Sequence, residues 1–209
     1  MELLMTKTQE EWLEARKNRF TASVIHRLMG TPRGGGVLTK SAETFIYEKA
    51  AEILTGETKA IYGEALNWGI DHEAEAFQSF QETQFDEYNY YGGETYVFIP
   101  YGEYSGYSPD GLNDQAIIEI KCPFNSGIHL KNHRIVDGST LKTMHPEYYW
   151  QMQMGMICTD TNKGYFISYD PRMPIHKQMH IAQIERDDVK NDIDEKLAIA
   201  TEIMDSILK

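Results

Sequence analysis

The stretch that most limits what this chain can become runs from Ser108 to Phe124, S-P-D-G-L-N-D-Q-A-I-I-E-I-K-C-P-F. Pro109-Asp110-Gly111 is turn chemistry, because proline presets φ and glycine permits the positive φ that many tight turns need. Gln115 to Cys122 carries Ile117, Ile118 and Ile120, β-branched residues that fit a pleated strand. Alternate side chains of a strand share a face, so Glu119 and Lys121 point one way while Ile118, Ile120 and Cys122 point the other. If Asp110 sits at the end of an adjacent strand, two carboxylates and one ammonium converge. Two hard oxygen ligands suit Mg²⁺, which keeps several waters for phosphate oxygens and a nucleophile. The lysine can hold or help deprotonate the attacking water and offset charge developing on phosphorus oxygens. Glu-x-Lys alone is common and reads equally well as a surface pair on a hairpin. The flanking Ser-Pro-Asp-Gly and Cys-Pro-Phe make the full string far more specific.

A length of 209 residues, 41% hydrophobic and 25% charged, fits a single globular domain over residues 1–209 with a substantial core. No apolar run approaches the roughly 18 residues of a membrane span, so no membrane association is expected. The opening M-E-L-L-M-T-K-T-Q-E-E is too acidic, and too short in its apolar part, for a secretory signal. Two cysteines, Cys122 and Cys158, make no disulfide framework and fit a reducing cytoplasm. They also fall short of the four thiolates that an iron–sulfur cluster needs.

Along the chain, Thr8-Gln9-Glu10-Glu11 is a capping-box pattern that opens a helix to about Phe20. Thr21 or Ser23 starts a second short helix ending at Gly30, and Thr31 to Gly36 is a mobile glycine-rich loop. Helices are expected over 39–55 and 64–84, strands between about 94 and 122, and a basic loop over 125–143. His145-Pro146 starts a helix through Cys158, with proline at its tolerated first position. Tyr165–Tyr169 and Met179–Ile184 read as strands paired around Asp170-Pro171-Arg172, before a last helix over 187–208. This order predicts one mixed sheet flanked by helices.

Four further residues, Glu73, Gln151, Arg16 and Ser23, offer polar groups to such a site. Ile70, Glu73, Phe77 and Phe80 share one helical stripe, so Glu73 is either a carboxylate turned to a metal or its waters, or a solvated edge residue. Gln151 shares a face with Tyr148 and Gly155; its amide either binds a phosphate or a water, or sits at the core's margin. The neighbouring Met152, Met154 and Met156 read as core. Arg16 lies one turn after Trp12, and Thr21-Ala22-Ser23 opens the next helix. A helix start, a hydroxyl and a guanidinium can hold a terminal phosphate, and Ser23 is equally an ordinary cap.

These residues together closely resemble the phage lambda exonuclease and YqaJ-like viral recombinase family of PD-(D/E)XK nucleases. The likeness runs from E-x-W-L-x-x-R near Trp12 to I-E-R-D-D at Ile184–Asp188. Its most specific parts are T-A-S-x-x-H (21–26), W-G-x-x-x-E (68–73), S-P-D-G-L (108–112), E-I-K-C-P-F (119–124), Q-M-Q (151–153) and Y-D-P-R-M (169–173). The resemblance implies an α/β PD-(D/E)XK fold, a central mixed β-sheet flanked by α-helices. It implies a 5′→3′ exonuclease that degrades one strand of linear double-stranded DNA, processively and as a ring-shaped homotrimer. The 3′ tails it leaves would serve phage-type recombination with a single-strand annealing protein in the bacterial cytoplasm. By resemblance, Asp110, Glu119 and the main-chain carbonyl of Ile120 hold the metal, two Mg²⁺ ions for which Mn²⁺ can substitute. Lys121 is the catalytic lysine, Glu73 an outer carboxylate, and Gln151 stands beside the nucleophilic water. Arg16, Ser23 and Ser108 match a pocket for the 5′-phosphate, Leu66 an apolar wedge at the fork, and Arg33 a loop arginine that meets DNA. Gly34-Gly35-Gly36 departs from the lambda enzyme, which is more basic there.

The charge pattern bears on the same reading. Net charge is −12, yet residues 12–40 carry +5 and 121–145 carry +3, while 41–120 carry −14. Segregated positive charge suits a confined DNA channel with a repelling exterior; chance clustering on a surface is the plainer account. A PD-(D/E)XK endonuclease of restriction or repair type would share Asp110, Glu119 and Lys121 but has no reason for an end-binding pocket. A non-enzymatic DNA-end binder has little need for paired carboxylates beside phosphate.

Overall fold

The structure, a computed structural model, describes residues 4–6, 8–57, 63–93 and 95–209. Strand β1 (Leu4–Thr6) precedes helix α1 (Gln9–Arg16), where the Thr8 hydroxyl accepts the Glu11 amide as a cap. Strand β2 (Phe20–Thr21) leads into a short 3-10 helix, Ala22–Arg27, and a loop to α2 (Lys40–Thr55). Thr39 caps α2, and Gly56 ends it at a φ of 71°, a conformation that costs glycine little. Then come α3 (Glu64–Gln81), β3 (Asn89–Tyr90), β4 (Tyr96–Pro100), β5 (Ser105–Tyr107), β6 (Gly111–Leu112) and β7 (Ala116–Lys121). Helices α4 (Ser126–Asn132), α5 (Gly138–Met144) and α6 (Pro146–Thr159) follow, and β8 (Lys163–Tyr169), β9 (Met179–Glu185) and α7 (Lys190–Leu208) complete the chain.

The strands form two mixed sheets rather than the single one expected. The central five-stranded sheet runs β3-β6-β7-β8-β9, with only β7 and β8 parallel. A parallel neighbour demands a crossover, and α4, α5 and α6 supply it. The second sheet, β1-β4-β5-β2, pairs β2 parallel to β5 and the rest antiparallel. Covered on both faces, β7 is buried along its length up to half-buried Lys121, as parallel strands usually are. Ile117 joins the core under α6, with Met152, Met154 and Met156, so the methionine run is packing as read. Ala116, Ile118 and Ile120 join the other core, with Phe77 and Phe80 of α3.

Close approach of α6 to the sheet depends on Gly155. A Cβ there would lie 2.8 Å from the Tyr107 ring and 2.9 Å from Ile117. The I-E-R-D-D segment fastens the same helix. The Gln153 amide donates to the Glu185 carbonyl at 3.0 Å and accepts the Asp187 N–H at 2.8 Å, while the Tyr149 hydroxyl donates to Asp187 at 2.5 Å.

Several local expectations change. Residues 125–143 are not a loop awaiting DNA but carry α4 and α5. Asn125 caps the first, and a reciprocal Asp137–Thr140 capping box starts the second. Ile70 is 59% exposed, so the buried stripe of α3 is Ala76, Phe77 and Phe80. The second short helix is the 3-10 turn, in which Ser23 lies inside the first turn and its hydroxyl pairs with that of Thr21 at 3.0 Å.

Candidate active site

Strand β7 sets the axis of the site. Its alternation turns Glu119 and Lys121 toward α6, and Gln151 of that helix meets them. Glu119 is 1% exposed; its Oε1 accepts the Lys121 ammonium and the Gln151 amide, both at 2.5 Å. Its Oε2 is buried without a well-formed hydrogen bond among the described residues, in the company of the equally buried Tyr107 hydroxyl. Asp110 enters from the turn before β6, and its Oδ2 accepts the Ile120 N–H at 2.7 Å. The Asp110 carbonyl accepts the Tyr91 N–H at 2.9 Å, which pins the turn to the strand beside it. Glu73, half-buried on α3, accepts the Tyr90 hydroxyl at 3.2 Å. The expected convergence of Asp110, Glu119 and Lys121 is thus present, and Glu73 and Gln151 join from two helices on opposite faces of the sheet.

The electrostatics show a site short of positive charge. Burial pushes Glu119 up to about 7, with Asp110 adding to the rise and Lys121 opposing it. Burial, then the charge of Asp110, pushes Glu73 up to about 8. Asp110 is raised by burial against the pull of Lys121, the Ile120 amide and Arg16. Burial alone would lower Lys121, but Glu119 and Asp110 lift it above its ordinary value, so it remains an ammonium. Three hard-oxygen groups raised by burial, with Asp110 raising the other two further and Glu119 keeping one buried oxygen unpaired among the described residues, fit a divalent cation. Among the described residues no three or more His, Cys, Asp and Glu side chains form a ready-made cage. A cation here would therefore keep much of its water, as Mg²⁺ prefers.

Next to these carboxylates stands a corner built by Arg16, Trp12 and Ser108. The Arg16 guanidinium lies 4.2 Å over the Trp12 ring and within the field of Asp110 and Glu119. The Trp12 indole N–H donates to the Ser108 hydroxyl at 3.0 Å. Ser108 accepts in this bond, and its own O–H makes no hydrogen bond of ordinary length among the described residues, so it can still donate. Ser23 reaches the same end of the structure because β2 runs parallel to β5, with Thr21 beside Gly106. Leu66, 44% exposed, stands in the first turn of α3, and Arg33 is exposed on the glycine-rich loop.

Three partners went unnoticed in the sequence. Tyr90 holds Glu73, Trp12 orients Ser108, and Tyr148 lies with its ring 4.9 Å from the Lys121 ammonium. The Trp12–Arg16 spacing was a usable signal for the second; Tyr90 carried none.

Residues 11–162 match the family model of the YqaJ-like viral recombinase domain. The alkaline exonuclease LHK-Exo from Laribacter hongkongensis is similar over 95% of this chain and 96% of that one, at 29% identity and a TM-score of 0.74. Its complex with dAMP gives 30% identity and a TM-score of 0.73 over the same shares, 95% and 96%. A phage-related exonuclease from Haemophilus somnus 129PT shares the fold, with a TM-score of 0.74 at 17% identity over 91% of this chain and 95% of that one. No curated protein matches the chain.

Proposed function

Because the chain belongs to the YqaJ-like viral recombinase family, with a PD-(D/E)XK-type fold, we propose that it is a metal-dependent exonuclease. It would degrade one strand of linear double-stranded DNA from the 5′ end, processively, and leave 3′ tails for recombination. The observation that carries this reading is the divided environment of Glu119. One oxygen is held by Lys121 and Gln151, and the other is buried without a well-formed hydrogen bond among the described residues, in a carboxylate that feels the charge of Asp110 and the buried Tyr107 hydroxyl. A binding module would leave so costly an arrangement without use.

Asp110, Glu119 and the Ile120 carbonyl would hold two Mg²⁺ or Mn²⁺ ions, with Glu73 as the outer carboxylate. When bound, the ions supply Lewis-acid stabilisation of charge at the scissile phosphate. The chain's own groups do the rest. Lys121, kept protonated by its carboxylate neighbours, donates to the attacking water or to a phosphorus oxygen. Gln151 holds the Glu119 carboxylate and lends its amide to the same water. Arg16 presents its guanidinium edge to the 5′-phosphate while its face rests on Trp12, and Ser108 and Ser23 add hydroxyl donors. Leu66 would wedge the fork and Arg33 would contact the duplex.

The partners proposed with this activity are two more copies in a ring and a single-strand annealing protein. The setting is the host cytoplasm. No helix among the described residues is long and apolar enough to cross a membrane.

End-labelled linear duplex tests the reading directly, with 5′-phosphate and 5′-hydroxyl ends compared in Mg²⁺. The expected result is nucleotide release from the 5′ end, faster on phosphorylated ends, with that preference erased by Arg16→Ala. Cutting of a covalently closed circle would favour the endonuclease alternative. Binding without any Mg²⁺-dependent release would leave only an end-binding protein.

A further inference from the structure

Lys196 of α7 is 9% exposed, and its ammonium is committed to two main-chain carbonyls, Gly30 at 2.9 Å and Val37 at 3.0 Å. These carbonyls stand at the two ends of the loop that carries Arg33. Gly30 also presses on Thr39, where a Cβ would come within 3.0 Å of the threonine methyl, and Thr39 in turn caps α2 by accepting the Ala42 amide at 3.1 Å. The loop is therefore pinched shut at its base from two sides. Its tip is the reverse. Gly35 and Gly36 hold φ values of 84° and 89°, and among the described residues nothing lies within 4 Å of where their Cβ atoms would be. A buried lysine is expensive to desolvate, and an apolar residue would fill the space at less cost. What the ammonium adds is a bridge between two chain positions that a glycine-rich segment could not hold together by itself.

We propose that Lys196 is a positioning residue that closes the base of the Gly30–Val37 loop and thereby aims Arg33 at duplex DNA. The proposal rests on the DNA-end reading above. An open, glycine-rich tip can adapt to a phosphate backbone, while a fixed base limits the volume Arg33 samples and the entropy lost on binding. Helix α7 thus acts on DNA without touching it.

Trypsin cleavage after Arg33 reads the clamp without reference to any nuclease activity. Lys196→Met should speed that cut by about tenfold, the scale of a local opening eased by roughly 1.4 kcal/mol, while the tryptic sites common to both proteins keep their rates. Affinity for a 5′-phosphorylated linear duplex, measured in chelator so that nothing is cut, reads the aim. Arg33→Ala and Lys196→Met should each weaken binding, and the double variant should be no weaker than Arg33→Ala alone. If Lys196→Met does not melt cooperatively, Lys196→Gln, with one shorter donor, carries the same comparison. An unchanged cut at Arg33 overturns the clamp, and additive losses overturn the coupling. If wild type binds duplex but Arg33→Ala binds equally well, the loop does not meet DNA and this inference falls while the exonuclease reading stands. If wild type neither binds duplex nor releases nucleotides, that reading fails as well, whatever the trypsin result.

Discussion

Glu119 shows how one residue can be both the costliest and the most useful in a fold. It sits fully inside the sheet-helix core, yet among the described residues one of its oxygens is well paired and the other is not. Lys121→Ala removes a donor to that oxygen and the ammonium offered to the phosphate. Cleavage of linear duplex should fall about a hundred- to a thousandfold, the scale of one lost charge-stabilising donor, with duplex binding in chelator nearly unchanged. Wild-type turnover by the variant would sink the assignment. Glu73 makes a pH test possible. Its carboxyl is pushed up to about 8 by burial and by Asp110, so the folded protein holds this proton more tightly than the unfolded chain. Stability from this group is therefore complete below the unfolded value of about 4.3 and is lost as pH rises toward about 8. In chelator, Glu73→Gln should be more stable than wild type at pH 8, by at most about 5 kcal/mol and by less to the extent that solvent screens this half-buried group, and the gap should vanish near pH 4. A gap that widens toward acid would refute the assignment of that charge. At this scale the sequence was legible where strand alternation decides direction, as for Glu119 and Lys121. It was silent where a partner comes from another strand, as with Tyr90.

The elements position those residues through a few close contacts. Gly155 lets α6 lie against Tyr107 and Ile117, and Gln151 sits one turn earlier on that helix. Gly155→Ala should lift the helix enough to separate Gln151 from Glu119. The loss in turnover should exceed about tenfold although no site residue changes, with KM less affected, since displacements of about an ångström can cost this much. Steady-state kinetics would decide; unchanged turnover would mean that the helix can shift without moving Gln151. The Y-D-P-R-M motif ties a second pair of elements. Buried Asp170 holds the Arg172 side chain at 2.8 and 2.9 Å, and Arg172 reaches the Phe124 carbonyl at 2.9 Å and stacks 4.1 Å over Trp68 of α3. The motif thus fastens the helix bearing Glu73 to the segment that follows Lys121. Helix limits were readable where caps and apolar spacing agree, as at Thr39 and Pro146. Residues 125–143 were misread because α4 and α5 are each a short turn or two, with few periodic apolar positions. Their signals were the caps, Asn125 and the Asp137–Thr140 box.

For the molecule as a whole, an acidic chain must hold a polyanion through local positive segments. Duplex affinity should fall linearly in log–log form between 50 and 200 mM salt, with Arg33→Ala lowering the slope by about 0.9, the share of one phosphate contact. A slope unaltered by that change would remove Arg33 from the interface. The central sheet was foreseen because helices and strands alternate in the right order. The second sheet was not, since β1, β2 and β5 are two- or three-residue strands defined only by their neighbours. The parallel pairing of β7 with β8 has a consequence for how the protein is made. Glu119 and Lys121 leave the ribosome well before Gln151, and their strand gains its parallel neighbour only once residues 163–169 have followed. Long-range pairings of this kind form late. During cell-free synthesis, cutting activity should therefore lag behind the appearance of residue 169, leaving the nascent chain harmless to nearby DNA until its cutting edge is built.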